Sequence, residues 1–245
     1  PLSEAALKAA AAKPGEHILD IGCGCGDTSI KLAETVTATG RVLGADISAP
    51  MLALAKQRAT TTNITFSEAD AASHSFEPHT FDLLFSRFGV MFFANPDEAF
   101  ANMRKALKQT GRVAFVCWRD WRENEWVRVP IMAVRPHVPP QPQLGPEDPG
   151  PFAFADPARI RRVMAAGGFD AITLKPFDAK VEIGNTLDDA VTYLQEFGPI
   201  SRALTDASPA QKQQAGAALR EALTPHAKST PIKLGAAVWL VTAKA

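Results

Sequence analysis

The feature that most constrains this chain is the run Asp20-Ile21-Gly22-Cys23-Gly24-Cys25-Gly26. It follows a short apolar segment, His17–Ile21, and precedes a helical pattern over 27–38 in which Ile30, Leu32, Ala33 and Val36 share a face. Three glycines between a strand and a helix allow close approach of a ligand to the backbone and leave the first helical N–H groups free to meet it. The spacing is G-x-G-x-G with an aspartate two residues upstream, whereas the dinucleotide fingerprint is G-x-G-x-x-G. Asp46 ends the next predicted strand, 20 residues past Gly26. A carboxylate there can accept hydrogen bonds from both hydroxyls of a ribose.

The first 118 residues continue this alternation at βαβ spacing. Strands are expected at 17–21, 41–46, 63–67, 81–86 and 113–118. Helices are expected at 3–12 (Ser3 as cap, stopped by Pro14-Gly15), at 27–38, from a Ser48 cap to 59, and from Asn95-Pro96 to a stop at Gly111. Asp97 and Glu98 complement the first-turn dipole of the last of these. After Trp118 the composition changes: residues 130–157 hold nine of the nineteen prolines, which excludes a regular helix or a central strand there. The stretch reads as an ordered loop or a linker, and the short remainder favours a lid over a second large domain. Asp156-Pro157 opens a further helix that ends at Gly167-Gly168; strand follows at 169–183, helices at 187–197 and 209–223, and a last strand at 236–242.

Composition narrows the classes. With 26 basic and 26 acidic residues in 245, the net charge is zero, which argues against a protein that holds nucleic acid by its overall field. No apolar run approaches the roughly 20 residues that span a bilayer. The Ala-rich start is interrupted by Lys8 and Lys13 and lacks a signal-peptide core. The chain begins at Pro1 without a Met, so part of the native N-terminus is expected to be missing. Three cysteines, Cys23, Cys25 and Cys117, cannot build a disulfide framework. Cys23-x-Cys25 lacks companions at zinc spacing and reads as small side chains in a tight loop, with no metal expected. A reducing compartment, the cytoplasm, is implied.

Taken together, His17–Gly26, Gly44-Ala45-Asp46-Ile47-Ser48, Ala69-Asp70-Ala71 and Phe81–Phe93 resemble the class I S-adenosylmethionine-dependent methyltransferases. The nearest likeness is to the small-molecule group that includes the ubiquinone/menaquinone-biosynthesis methyltransferases, and it covers residues 1–118 well and the remainder loosely. The resemblance implies a Rossmann-like α/β fold: seven strands, mostly parallel with the last antiparallel, helices on both faces, in a single domain over 1–245. It implies a cap over the acceptor pocket, drawn from the Pro-rich lid 119–155 and a helical insertion at 185–230. It also implies that Asp20, Gly22, Gly24 and Gly26 lie against the methionine part of S-adenosylmethionine, that Asp46 binds its ribose, and that Ile47 and Met51 flank its adenine. Asp70, beside Ala71, would bind the adenine amino group, and Ser86, Arg87 and Phe88 would face the methionine end and the acceptor. Cys25 departs from the pattern, which more often has Thr or Ser there.

The expected reaction is methyl transfer to an O, N or C atom of a small, apolar or aromatic metabolite. Such an in-line displacement asks the protein chiefly to align reactants and exclude water. No Ser/His/Asp or Cys/His constellation stands out. Among the histidines, His74, His79 and His226 read as solvated, whereas His137 lies in the proline-rich stretch and could serve as a base. Arg87 either pairs an anionic acceptor or forms a structural ion pair. Trp118, Trp121 and Trp126 fall within nine residues and read either as an aromatic wall near a sulfonium or as anchors of the lid. Arg104, Lys105, Lys108 and Arg112 read as a solvated face at a helix end rather than a nucleic-acid groove. Two rivals stay open: an NAD(P)-dependent oxidoreductase, disfavoured by the glycine spacing and by Tyr193 lacking a lysine four residues on, and a non-catalytic protein that retains the cofactor site. A nucleic-acid methyltransferase is a lesser possibility.

Overall fold

The computed structural model describes residues 1–141, 145, 147–196 and 198–245. In chain order the elements are α1 (Leu2–Ala10), β1 (His17–Ile21), α2 (Asp27–Val36), β2 (Arg41–Asp46), α3 (Ala49–Arg58), β3 (Ile64–Glu68), β4 (Phe81–Arg87), α4 (Pro96–Ala106), β5 (Leu107–Trp118), α5 (Glu125–Val134), α6 (Pro157–Ala166), β6 (Asp170–Gly184), α7 (Leu187–Glu196), α8 (Gly198–Ala203), α9 (Pro209–Leu223) and β7 (Ile232–Lys244). The strands form one sheet in the order β3-β2-β1-β4-β5-β7-β6. β1 to β5 run parallel and β7 is antiparallel to β5, with Ala114 opposite Thr242 and Val116 opposite Leu240. This is the Rossmann-like sheet the sequence implies.

The near-continuous apolar run of β4 is explained by burial of both of its faces. From β1 the chain passes outward to β2 and β3 and then returns to β4 on the other side of β1. The strand order therefore reverses between β1 and β4, and ligands bind at the carboxyl ends of such strands.

Two compact units divide the chain. The larger comprises Leu2–Trp118, Pro146–Phe177 and Val238–Ala245; the smaller is built mainly from Arg119–Gly145 and Asp178–Ala237. The larger has a core in which the Phe100 ring meets Phe93, Phe115, Phe154 and Phe169 at centroid distances of 5.7–6.5 Å. Phe154 brings the end of the proline-rich stretch into this core. The buried Arg159 guanidinium fixes that segment by donating to the carbonyls of Ala153 and Glu147, both at 2.8 Å, and the Trp239 indole donates to Ala155 O at 3.0 Å. The segment expected as one lid, 119–155, divides between the units: 119–141 and Gly145 fold with the smaller unit and 147–155 with the larger. Residues 142–144 and 146 of that lid, and Phe197 of the 185–230 insertion, lie outside the described residues.

The smaller unit has its own core of Val134, Ala190, Leu194, Ile200, Leu219, Leu223, Ile232 and Leu234. Its buried Asn124 is fully bonded. The amide donates to Arg119 O (3.2 Å) and Asp120 O (3.0 Å), and the carbonyl accepts from Ala237 N (2.8 Å) and the Trp126 indole (3.2 Å). A capping box, Ser208 with Gln211, starts α9.

Several local expectations need correction. Ser3 is inside α1, which begins at Leu2, and Ser48 makes no side-chain cap bond. α4 ends at Ala106, so Gly111 is a residue of β5. Pro130, expected to exclude helix, lies within α5. It is the sixth of the helix's ten residues, where it removes one i→i−4 bond, and its ring is buried on one face with Val127 and Val134. The short helix α8 carried no readable signal. Three of the four cations expected on one solvated face have separate partners. Arg104 donates to Gly168 O at 2.6 Å and Lys108 grips Asp82 at 2.7 and 2.8 Å. Arg112 pairs with both oxygens of Glu16 at 2.8 Å and donates to the carbonyls of Ala10 and Ala11 at the end of α1. Among the described residues no helix is long and apolar enough to cross a membrane.

Candidate cofactor site

The loop leaving β1 is locked by backbone bonds. Gly22 N and Cys23 N both donate to Ala45 O, at 2.8 and 3.2 Å, and Gly26 N donates to Cys23 O at 3.0 Å before α2 begins. Gly22, Gly24 and Gly26 have φ of +66°, +55° and +80°, a region that L side chains rarely adopt. A Cβ on Gly22 would stand 2.7 Å from Gly89 Cα, so the β1 and β4 loops meet backbone to backbone. A Cβ on Gly24 would stand 3.0 Å from Met51 Cε, which places Met51 on the outside of the loop.

Asp46, at the end of β2, is half-buried and ties this loop to α3. Its Oδ2 accepts from Gly24 N at 2.8 Å and its Oδ1 from Ser48 N at 2.9 Å. Each carboxylate oxygen keeps a second acceptor direction, so the group can take two hydroxyl donors without giving up either backbone bond. The next residue, Ile47, is 73% exposed, and Met51, one turn into α3, is 42% exposed. Two large apolar side chains open to water beside a glycine loop form an uncovered wall suited to a flat ring.

Asp70 follows β3. Its Oδ1 accepts from Ala72 N at 2.9 Å, an Asx turn, and its carbonyl accepts from Ser73 N and His74 N. Ala71 is buried in the core. Asn102 on α4 donates to Ala71 O at 3.2 Å and His74 O at 2.9 Å, clamping the whole turn. Asn102 was not legible as part of the site, because its relation to Ala71 depends on tertiary packing.

Asp20 is fully buried at the end of β1. Its Oδ2 accepts from the hydroxyls of Ser29 (2.6 Å) and Thr28 (3.0 Å) in the first turn of α2, and its Oδ1 has no hydrogen-bond partner. Burial outweighs the two hydroxyl bonds and pushes the carboxyl up from the usual aspartate range to about 6. A raised folded-state value means that the native protein binds more protons than the unfolded chain between about pH 4 and 6. Asp20 therefore makes stability fall as pH rises through that window, by about 3 kcal/mol at most. Glu16, Asp27 and Asp82 are held below their usual range and act in the opposite sense, losing stability as pH falls through their folded values. In urea unfolding of Asp20→Asn beside wild type, the stability difference should move in favour of the variant by up to about 3 kcal/mol from pH 4 to pH 7. A pH-independent difference would contradict this account.

The end of β4 divides its residues. Ser86 is buried; its hydroxyl donates to Ile21 O at 2.7 Å and accepts from Gly89 N at 3.1 Å. Through these bonds it braces the β1 and β4 loops against each other. Arg87 is partly exposed, and its guanidinium is 4.0 Å from Asp27, which also pairs with Arg58 at 2.6 Å. Phe88 adopts φ +64° and stacks on Trp118, with ring centroids 4.2 Å apart and planes 9° from parallel. Gly89, two residues past β4, is what permits the approach of the β1 and β4 loops, since a Cβ there would stand 2.7 Å from Ile21 O.

The structure thus brings together Asp20, Gly22, Gly24, Gly26, Asp46, Ile47 and Met51, with Ser86 and Gly89 meeting the same loop from β4. His137 is in the smaller unit, beside Gln214, Ala217, Ala218 and Glu221 of α9. Of the three tryptophans, Trp118 stacks on Phe88 in the larger unit, and in the smaller unit Trp121 lies under the Arg122 guanidinium and Trp126 packs against the core. Cys23 and Cys117 are buried, and burial raises both thiols, so neither is a ready nucleophile.

Comparison with known proteins agrees with this geometry. Residues 18–111 match the family described as methyltransferase domain. A 2-phytyl-1,4-naphtoquinone methyltransferase from Trichormus variabilis is 35% identical over 117 residues, which cover 46% of this chain and 51% of the relative. The chain spans about half the length of the curated relatives it matches. Among solved structures, the YcgJ protein from Bacillus subtilis aligns over 99% of this chain and 97% of its own at TM-score 0.64 and 17% identity. A Haemonchus contortus phosphoethanolamine N-methyltransferase 2, solved with S-adenosylhomocysteine, aligns over 99% of this chain and 52% of its own at TM-score 0.59 and 20% identity. Over residues 18–111 the chain is thus similar to methyltransferase domains.

Proposed function

We propose that this protein transfers a methyl group from S-adenosylmethionine to a small molecule, working by alignment of the reactants. The observation that carries the reading is Asp46: a carboxylate bound to the glycine loop by one oxygen, with acceptor directions to spare, directly followed by the exposed Ile47. The residues present fit the group. Asp46 suits the ribose hydroxyls, Ile47 and Met51 suit the adenine faces, and the Asp70–Ala71 turn clamped by Asn102 suits the adenine edge. The positive-φ loop 22–26 suits the methionine part, and the unpartnered Asp20 Oδ1 leaves one buried acceptor for a donor there.

When bound, S-adenosylmethionine supplies an activated methyl group together with its leaving group. This chain's own residues then bind, orient and exclude water. Asp46 fixes the ribose, and the Gly22–Gly89 contact holds the β1 and β4 loops in register. Ser86 keeps that contact closed, and Phe88 fills the edge of β4. Arg87 and His137 are retained as candidate acceptor-binding and base residues. The smaller unit is proposed to select the acceptor, a role expected for the 119–155 and 185–230 segments. Unpaired Cys23, Cys25 and Cys117 support a reducing, cytoplasmic setting.

The test is incorporation of labelled methyl from S-adenosylmethionine into a panel of small phenols, quinols, amines and carboxylates. Transfer to at least one class, absent in Asp46→Ala, is the expected result. Cofactor binding without turnover on any class would replace the reading with a non-catalytic binding protein.

A further inference from the structure

The peptide unit between Ala71 and Ala72 is bonded at both ends. Its carbonyl, Ala71 O, accepts from the Asn102 amide of α4 at 3.2 Å, and its N–H, on Ala72, donates to Asp70 Oδ1 at 2.9 Å. A peptide unit is planar, so holding its oxygen also fixes the direction of its N–H. The same Asn102 nitrogen donates to His74 O at 2.9 Å, which holds the far end of the turn. The near end is fixed to β2, where Ala69 N donates to Asp46 O at 3.0 Å. Asp70 itself is exposed, and its Oδ2 has no hydrogen-bond partner among the described residues. The direction of this carboxylate therefore rests on the Ala72 N–H and, through that peptide, on Asn102. The helix does not need Asn102 for its own packing, since α4 buries Ala99, Phe100, Met103 and Ala106. Both amide hydrogens serve the turn instead.

Resting on the methyltransferase reading, we propose that Asn102 is a positioning residue that aims the Asp70 carboxylate through the Ala71–Ala72 peptide and so selects a base bearing an amino group. Asp70 Oδ2, left open by the Asx turn, accepts from the 6-amino group of adenine. A base without that group gains nothing from an aimed carboxylate. Asn102 acts at one remove and touches no ligand.

The probes are S-adenosylhomocysteine and its 6-deamino analogue, in which hydrogen replaces the adenine amino group, each titrated calorimetrically. The readout is the ratio of the two affinities, because general loosening of the site weakens both ligands together and leaves the ratio alone. Wild type should favour the amino ligand at least about 5-fold, as a hydrogen bond to a charged group implies. Asn102→Ala and Asn102→Asp should each bring the ratio to within about 2-fold of equality, the second by setting an acceptor against Ala71 O at unchanged size. Asp70→Ala should do the same, and Asp70→Ala combined with Asn102→Ala should match Asp70→Ala alone, because the two residues act as one unit. Circular dichroism checks that each variant is folded. A preference that persists in both Asn102 variants, or is absent from wild type, would overturn the positioning role and leave the methyltransferase reading standing. A wild-type protein that binds neither ligand would overturn that reading and the proposal with it.

Discussion

Asp46→Ala should lose on the order of 100-fold or more in affinity for S-adenosylhomocysteine while remaining folded. Hydrogen bonds to a charged acceptor contribute about 1.5–3 kcal/mol each, so two ribose hydroxyls bonded to this carboxylate account for about 3–6 kcal/mol. The substitution also releases Gly24 N and Ser48 N, which loosens the loop that the ligand needs ordered. Asp46→Asn should be little better. Both oxygens already face N–H donors, and an amide places a donor against one of them. Calorimetry on the three proteins, with circular dichroism to check folding, measures this. Affinity in Asp46→Ala within 3-fold of wild type would remove Asp46 from the site.

The second large effect concerns stability and separates conformation from contact. Gly15, Gly22 and Gly89 form a natural series. Gly15 has φ +83°, but a Cβ there would find its nearest neighbour 3.7 Å away. Gly89 has an ordinary φ of −83°, but a Cβ would stand 2.7 Å from Ile21 O. Gly22 has both faults, with φ +66° and Gly89 Cα at 2.7 Å. Alanine at Gly15 should therefore cost about 1–2 kcal/mol from left-handed backbone alone. At Gly89 the cost should be about 1–3 kcal/mol from overpacking alone. At Gly22 the two add to about 2–5 kcal/mol, because the clash is with backbone on both sides. Urea unfolding gives all three. Gly22→Ala no more costly than Gly15→Ala would mean that the β1 and β4 loops are not in contact as described.

The parts of the protein that were legible in the sequence are those encoded by neighbouring residues. The β1–glycine–α2 run, the strand ending in Asp46 and the Asn95 and Asp156 caps depend on patterns within about ten residues, and they appear where expected. What escaped depends on distant partners. Pro130 does not break α5, because its ring is buried on the helix's inner face beside Val127 and Val134. Arg112 and Lys108 read as solvated until α1, Glu16 and Asp82 are brought beside them. The Ser86 hydroxyl finds Ile21 O and Gly89 N only once β1 and β4 are side by side. Phe88 and Trp118 become a pair only through the register of β4 and β5.

The central claim is the cofactor, and calorimetric titration of the wild-type protein with S-adenosylhomocysteine beside NADH tests it most directly. The account predicts saturable binding of S-adenosylhomocysteine and no response to NADH, since the G-x-G-x-G turn, Asp46 and the open Ile47–Met51 wall suit the first ligand. Tight NADH binding with silence toward S-adenosylhomocysteine would contradict it and return the protein to the nicotinamide-dependent oxidoreductases.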